Sequence, residues 1–304
     1  MARFSRTMAR RLKAAENWLV AQVSLAALSL LRRLPPDKAL SFAEKVARKL
    51  GPKTIRHKLA LDNLRRAYPD KPEEEIQEIA LDMWANMARL AVEYVFIDKL
   101  FDFDPEKPGA GRVEVEGIDI FLRIREEKRP HIFFTAHIGN FEFLPVAAAQ
   151  FGLDVHVLFR APNNPYIADY INETRKAVMG GLVPSRAGAA LQLARILEEG
   201  GNIGALVDQK FRGGIRTTFF GRKCLTSPLI PKLARHYDCD VYPAHCVRLP
   251  GGRYRLEIGE KLKLPRDKEG YVDVRKTAQL LNDITEQWVR EHPGQWMWFH
   301  RRWG

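Results

Sequence analysis

The chain has 304 residues, 46% hydrophobic and 28% charged, enough to bury a large core; neither wholesale disorder nor a polytopic membrane protein fits these values. Lys and Arg number 49 against 37 Asp and Glu, and the net charge of +12 favours a polyanionic partner: nucleic acid, an anionic bilayer or a phosphorylated substrate. The three cysteines, Cys224, Cys239 and Cys246, form no CxxC pair and have no histidine at zinc-finger spacing, so neither a disulfide framework nor a metal site is expected, and a reducing, cytoplasmic setting fits.

Arg3, Arg6, Arg10, Arg11 and Lys13 precede the first acid, Glu16, and the uncharged run of residues 18–31 follows at once. That order favours a membrane among the possible polyanions. The run is interrupted by Gln22, Ser24 and Ser29 and falls short of the roughly 20 residues of a spanning helix. It spans only if Asn17 and Leu34 are included; otherwise it lies in the interface, with Trp18 as an interfacial aromatic. The N-terminal basic cluster belongs on the cytoplasmic side by the positive-inside rule. A buried core helix is the alternative, whereas a cleaved signal peptide is disfavoured by Arg32-Arg33-Leu34-Pro35-Pro36 in place of a small-residue cleavage site. The chain thus divides into a basic, apolar anchor, residues 1–34, and a domain of residues 35–304.

That domain opens with a helical lead-in, residues 35–105. Its clearest helix covers 73–96, with Ile76, Ile79, Met83, Met87, Leu90 and Tyr94 three or four apart, and with Pro72 and three glutamates suiting its start. After a Pro/Gly connector at 105–111, short apolar runs at 113–115, 132–136, 155–159, 203–207, 241–247 and 254–258 read as strands, most of them separated by amphipathic stretches such as 187–197. Strand and helix in turn predict an α/β core over 112–304, a mixed, largely parallel sheet flanked by helices. A last helix is expected at about 274–290, with Ala278, Leu281, Ile284 and Trp288 on one side.

The strand at 132–136 runs into His137, then Ile138-Gly139-Asn140, then a helix expected from Phe141. His137 therefore belongs at the carboxyl end of a strand, where open α/β sheets bind ligands, with Gly139 and Asn140 serving the turn and the cap. On one continuous helix His137 and Glu142 would point about 140° apart. The Gly139-Asn140 turn lets them meet, so that the carboxylate holds one imidazole nitrogen while the other faces a substrate hydroxyl. A capped loop with a surface ion pair would give the same spacing. H-E-x-x-H, G-x-S-x-G, G-x-G-x-x-G and Walker A motifs are absent, which argues against zinc-protease, esterase, dinucleotide and P-loop readings.

His137-x4-Glu142 is followed in order by Phe159-Arg160, Asn164-Pro165, Val207-Asp208-Gln209, Phe219-Phe220-Gly221 and the ending Gln295-Trp296-x-Trp298-x-His300-Arg301-Arg302-Trp303. In these blocks the sequence resembles the lipid A biosynthesis acyltransferases, the late acyltransferases that esterify hydroxyacyl chains of the Kdo-lipid A precursor, within the wider glycerolipid acyltransferase superfamily. The resemblance implies an acyl-carrier-protein thioester as donor, a phosphorylated, Kdo-bearing glycolipid as acceptor, the anionic inner leaflet of a bacterial inner membrane as setting, an active site facing the cytoplasm, and no cofactor. It makes His137 the base and Glu142 its orienter. Arg160 is assigned to substrate phosphate or to charge on the carbonyl oxygen. Asn164 joins the substrate-binding set, as do Asp208 and Gln209, for which a structural hydrogen-bonding role is an equal alternative. Arg301 and Arg302 would bind phosphate or else serve a helix dipole or the surface. Leu225-Thr226-Ser227-Pro228 stands where better-known members carry a threonine-rich stretch and a glycine, leaving acyl-chain selectivity open. The rivals are an acyltransferase for another glycolipid or a glycerophospholipid, and a basic membrane-binding protein without turnover. Nucleic-acid binding ranks last, because no recognition motif accompanies the charge.

Overall fold

The structure, a computed structural model, describes residues 2–107, 109–237 and 239–303; the side chains of Arg3, Arg6 and Arg10 in the basic cluster lie outside that description. The first helix, α1 (Ala2–Leu31), is 30 residues long, about 45 Å at 1.5 Å per residue. Its segment Arg11–Leu31 is long and apolar enough to cross a membrane, yet only 6% of its apolar window is buried. The buried-core alternative therefore fails, because Leu12, Trp18, Leu19, Val23 and Leu30 all face outward. α1 meets the helix α8 described below, where Asn164 Nδ2 donates to the Asn17 carbonyl at 2.7 Å, and its last turn packs Leu28 and Leu31 against the core.

The lead-in is helical throughout: α2 (Pro36–Leu50), α3 (Ile55–Ala67), α4 (Glu73–Glu93) and the single turn α5 (Ile97–Leu100). The periodic residues Ile76, Ile79 and Met83 are buried along α4, as their spacing requires. The chain then alternates: β1 (Val113–Glu116), α6 (Ile118–Glu126), β2 (His131–Thr135), α7 (Phe143–Gln150), β3 (Val155–Phe159), α8 (Pro165–Val178), β4 (Leu182–Pro184), α9 (Ala189–Glu198) and β5 (Asn202–Leu206). A hairpin, β6 (Ile215–Phe219) with β7 (Arg222–Thr226), interrupts the alternation before α10 (Leu229–His236), β8 (Asp240–Leu249), β9 (Arg253–Ile258) and α11 (Val274–Glu291). The main sheet has the order β1-β9-β8-β2-β5-β3-β4 and is parallel except where β8 meets β9. This is the mixed, largely parallel α/β sheet expected from the strand-helix alternation. All six predicted strands lie in it; β4 is too short to show a pattern, and β6 and β7 form a separate two-stranded sheet.

The Phe219-Phe220-Gly221 block is the turn of that hairpin. Phe220 takes φ +51, a strained conformation for a residue with a side chain, and is held there by its ring contacts with Tyr68 and Trp298 and by the Arg290 guanidinium above it. Burial of His245, stacked on Trp288 with ring centroids 4.5 Å apart, lowers its pKa to about 4 despite Glu257 Oε2 lying 3.5 Å away. A histidine whose folded pKa lies below its unfolded value binds its proton more readily when unfolded, so stability is full above the unfolded pKa near 6.5 and falls as the pH drops towards 4. In His245→Phe, thermal melting between pH 7 and 4 should lose part of this acid sensitivity; an unchanged slope would exclude His245 as its source.

Candidate active site

His137 is set by sheet register. The parallel pairing of β2 with β5 aligns Thr135 with Leu206, so the chains leave the sheet side by side, and two residues further on His137 stands beside Asp208. Asp208 Oδ1 accepts from His137 Nδ1 at 2.8 Å, and its Oδ2 accepts from the His137 backbone N–H at 3.0 Å and the Trp296 indole N–H at 2.8 Å. Burial would push the Asp208 carboxyl up, but the charge and hydrogen bond of His137, with the Trp296 and backbone donors, hold it below the usual carboxylate range. With Nδ1–H given to Asp208, Nε2 keeps its lone pair and accepts from the Gln209 amide at 3.2 Å. The imidazole side chain is 18% exposed.

The loop carrying His137 is clamped from below. Gly139 has φ +53, and a Cβ on it would stand 2.0 Å from the Cys246 carbonyl oxygen, so the turn admits only glycine. Its N–H donates to the Gln295 carbonyl at 3.1 Å, and Ile138 bridges to Trp296. Asn140 Nδ2 donates at 2.9 Å to Glu93, a carboxylate 1% exposed that also binds Arg248 and accepts from Tyr254 Oη at 2.8 Å. The Gln-Trp-x-Trp ending is therefore a strap: Gln295 and Trp296 tie the histidine loop, while Asn63 holds the Trp298 and His300 carbonyls at 2.8 and 3.0 Å.

Among the described residues Glu142 shares no hydrogen bond with His137, contrary to the expected contact. The helix α7 begins two residues later than expected, at Phe143, which leaves Glu142 at its N-cap, 5% exposed, with its carboxylate taken by Arg175 at 2.6 Å (Nη2) and 3.2 Å (Nε). The carboxylate hydrogen-bonded to the imidazole is instead that of Asp208. Its pairing was invisible in sequence because 71 residues separate the two groups. The other expected binding residues do not converge on His137. Asn164 caps α8, accepting from the Tyr166 and Ile167 N–H groups, and tethers α1, which accounts for both ends of its amide. Arg302 is buried and donates to the Leu225 carbonyl, Thr226 Oγ1 and Asn282 Oδ1 at 2.8–2.9 Å, sealing the strap to β7. Arg160 and Arg301 are exposed and share no hydrogen bond or ion pair with the His137 group among the described residues. Gln209 alone of the remaining set touches the imidazole.

Beside the dyad lies a cavity of about 200 Å³ between the sheet and α6–α8, lined almost wholly by apolar side chains, among them Phe121, Phe133, Leu144, Phe159 and Met179. Phe141 joins the two: it lines the cavity, and its ring meets the His137 ring edge-on at 5.1 Å. Among the described residues no group of His, Cys, Asp or Glu is placed to hold a metal ion.

A histidine at the carboxyl ends of parallel strands, hydrogen-bonded through Nδ1 to a buried carboxylate and close to an apolar cavity, is an arrangement able to accept a proton at Nε2. Residues 5–304 match the family described as bacterial lipid A biosynthesis acyltransferase, and the chain belongs to that family. It is also similar to lipid A biosynthesis acyltransferase 2 of Shigella flexneri, 26% identical over 287 residues that cover 93% of this chain and 87% of that protein. The protein is thus an acyltransferase of lipid A synthesis.

Proposed function

We propose that the protein transfers a fatty acyl chain from an acyl-carrier-protein thioester to a hydroxyl on a hydroxyacyl chain of a phosphorylated Kdo-lipid A precursor, at the cytoplasmic face of the bacterial inner membrane. The observation that carries this reading is the His137–Asp208 pair next to the apolar cavity. The acceptor hydroxyl takes the place of the Gln209 amide at Nε2 and passes its proton there as its oxygen attacks the thioester carbonyl carbon. The C–S bond then breaks, and the departing thiolate receives that proton. Asp208, fixed by Trp296, holds the required tautomer and offsets the imidazolium charge. The donor's chain fits the cavity, the net charge of +12 suits the acidic carrier and the phosphorylated acceptor, and the outward-facing apolar side of α1 suits a bilayer.

The test is to incubate the detergent-purified protein with an acyl-carrier-protein thioester and tetra-acylated Kdo-lipid A precursor and to weigh the product. One added acyl mass is expected; no addition, or addition only to a glycerophospholipid, would overturn the assignment. Gly204 on β5 lines the cavity, and a side chain there would reach Val155 and Val157 at ordinary contact distance. Gly204→Val should displace about two methylenes, worth about 0.8 kcal/mol each, and so shift donor preference towards shorter chains by roughly tenfold. An unchanged ranking of donors by kcat/KM would place the acyl chain elsewhere.

A further inference from the structure

The cavity has two polar atoms that the apolar reading leaves unused. Thr135 Oγ1 and Arg175 Nη1 belong to lining residues and are buried without a hydrogen-bond partner. Buried donors are nearly always paired, and these two sit in one cavity. Arg175 cannot turn away to find an acceptor: its Nη2 and Nε are fixed on Glu142 at 2.6 and 3.2 Å, Nε also meets Tyr94 Oη at 3.0 Å, and the guanidinium lies 5.3 Å from the centre of the Phe159 ring. Burial opposes its charge, but Glu142 and Tyr94 outweigh that and keep it firmly protonated. Thr135 closes β2 two residues before His137, Glu142 and Phe141 also line the cavity, and the Phe141 ring meets the His137 ring at 5.1 Å. Both unpartnered atoms thus belong to residues in, or bonded to, the segment 135–142 that carries the imidazole.

We infer that Arg175 and Thr135 bind the carbonyl oxygen of the acyl thioester whose chain fills the cavity, and that Glu142 is the clamp fixing Arg175. The inference rests on reading the cavity as the acyl site. When the acceptor oxygen bonds to the carbonyl carbon, the π electrons move onto that oxygen; as the C–S bond breaks they return, and the thiolate leaves with the proton held by His137. A charged N–H and a hydroxyl already in place at that oxygen favour the step over the ground state, because charge grows there. The H-x4-E glutamate thus acts one residue removed, through the arginine it holds.

The probes are dodecanoyl-pantetheine and its dodecyl thioether, which has the chain and sulfur but no carbonyl, with binding read by calorimetry on the full-length protein in detergent. The wild type should prefer the thioester by about tenfold, the usual discrimination for buried hydrogen bonds to one oxygen. Thr135→Val, close in shape, should narrow that preference and lower kcat, and the pair Glu142→Gln with Arg175→Met, which leaves no lone buried charge, should abolish it with thioether affinity unchanged. Equal binding of the two probes by the wild type, or an undiminished preference in both variants, overturns the carbonyl role and leaves the cavity as acyl site. Failure of both probes to bind the wild type, or binding by Gly204→Val as tight as by the wild type, overturns the cavity reading and this inference with it.

Discussion

His137→Ala should lower the rate of acyl addition by about 10²- to 10⁴-fold, the usual worth of a positioned general base, while the far-ultraviolet circular dichroism spectrum stays that of the wild type. The side chain keeps 18% exposure and is held by Phe141, Asp208 and Gln209 at the rim of the sheet, so the loss belongs to chemistry more than to folding. Asp208→Asn is the sharper variant. The amide preserves the shape and can keep bonds to the Trp296 and backbone donors, but it cannot offset an imidazolium charge and competes to donate to Nδ1. Its rate should therefore fall by about 10²-fold or more, with substrate KM little changed. A histidine variant within tenfold of the wild type would remove it from the reaction. A wild-type rate in Asp208→Asn would take the orienting role from Asp208.

The largest effect on stability is expected at Glu93. This carboxylate, 1% exposed, receives Asn140 from the histidine loop, Tyr254 from β9 and the guanidinium of Arg248 from β8. Burial works against charge on Arg248, and Glu93 is the group that restores it. Glu93→Ala leaves that cation buried and unpaired, which costs about 3–5 kcal/mol, so the denaturant midpoint should fall accordingly. The double variant Glu93→Met with Arg248→Met removes both charges and should recover much of the loss. Equal destabilisation in the single and double variants would show that packing, not the unpaired charge, sets the cost. Because Asn140 hangs from Glu93, either variant should also slacken the loop and lower kcat.

The sheet was legible because its strands are local signals: each of the six predicted runs is apolar, short and bounded by turns, and α4 and α11 show their faces through spacing alone. The hairpin β6–β7 was not, since its alternating residues 215–219 and 222–226 mix Arg, Thr, Lys and Cys, and its burial comes from α11 and the strap rather than from its own pattern. In the site, His137 was readable from its place after a strand. Its partner was not, for two carboxylates were available and the nearer in sequence lost to the one that strand pairing brings alongside. Asp208 stood at a strand end facing the same edge, and only the order of β2 beside β5 converts that position into a hydrogen bond. The contacts of Arg302 and Asn164 were not legible either, because a polar residue in a recognisable block can equally be the fastening of a strap or a helix cap. Arg175 and Glu93 gave no signal at all: their meaning lies in partners far along the chain.

The alignment of Thr135 with Leu206 makes enzymatic turnover a gauge of folding itself. Slipping either strand by one residue would turn its side chains to the opposite face and separate the imidazole from its carboxylate, though most helices would remain intact. Closing that 71-residue separation is among the slower things a chain does. In refolding from denaturant, helical signal should return first and acyl transfer only when those two strands have found each other, so recovered activity counts correctly paired sheets rather than compact molecules.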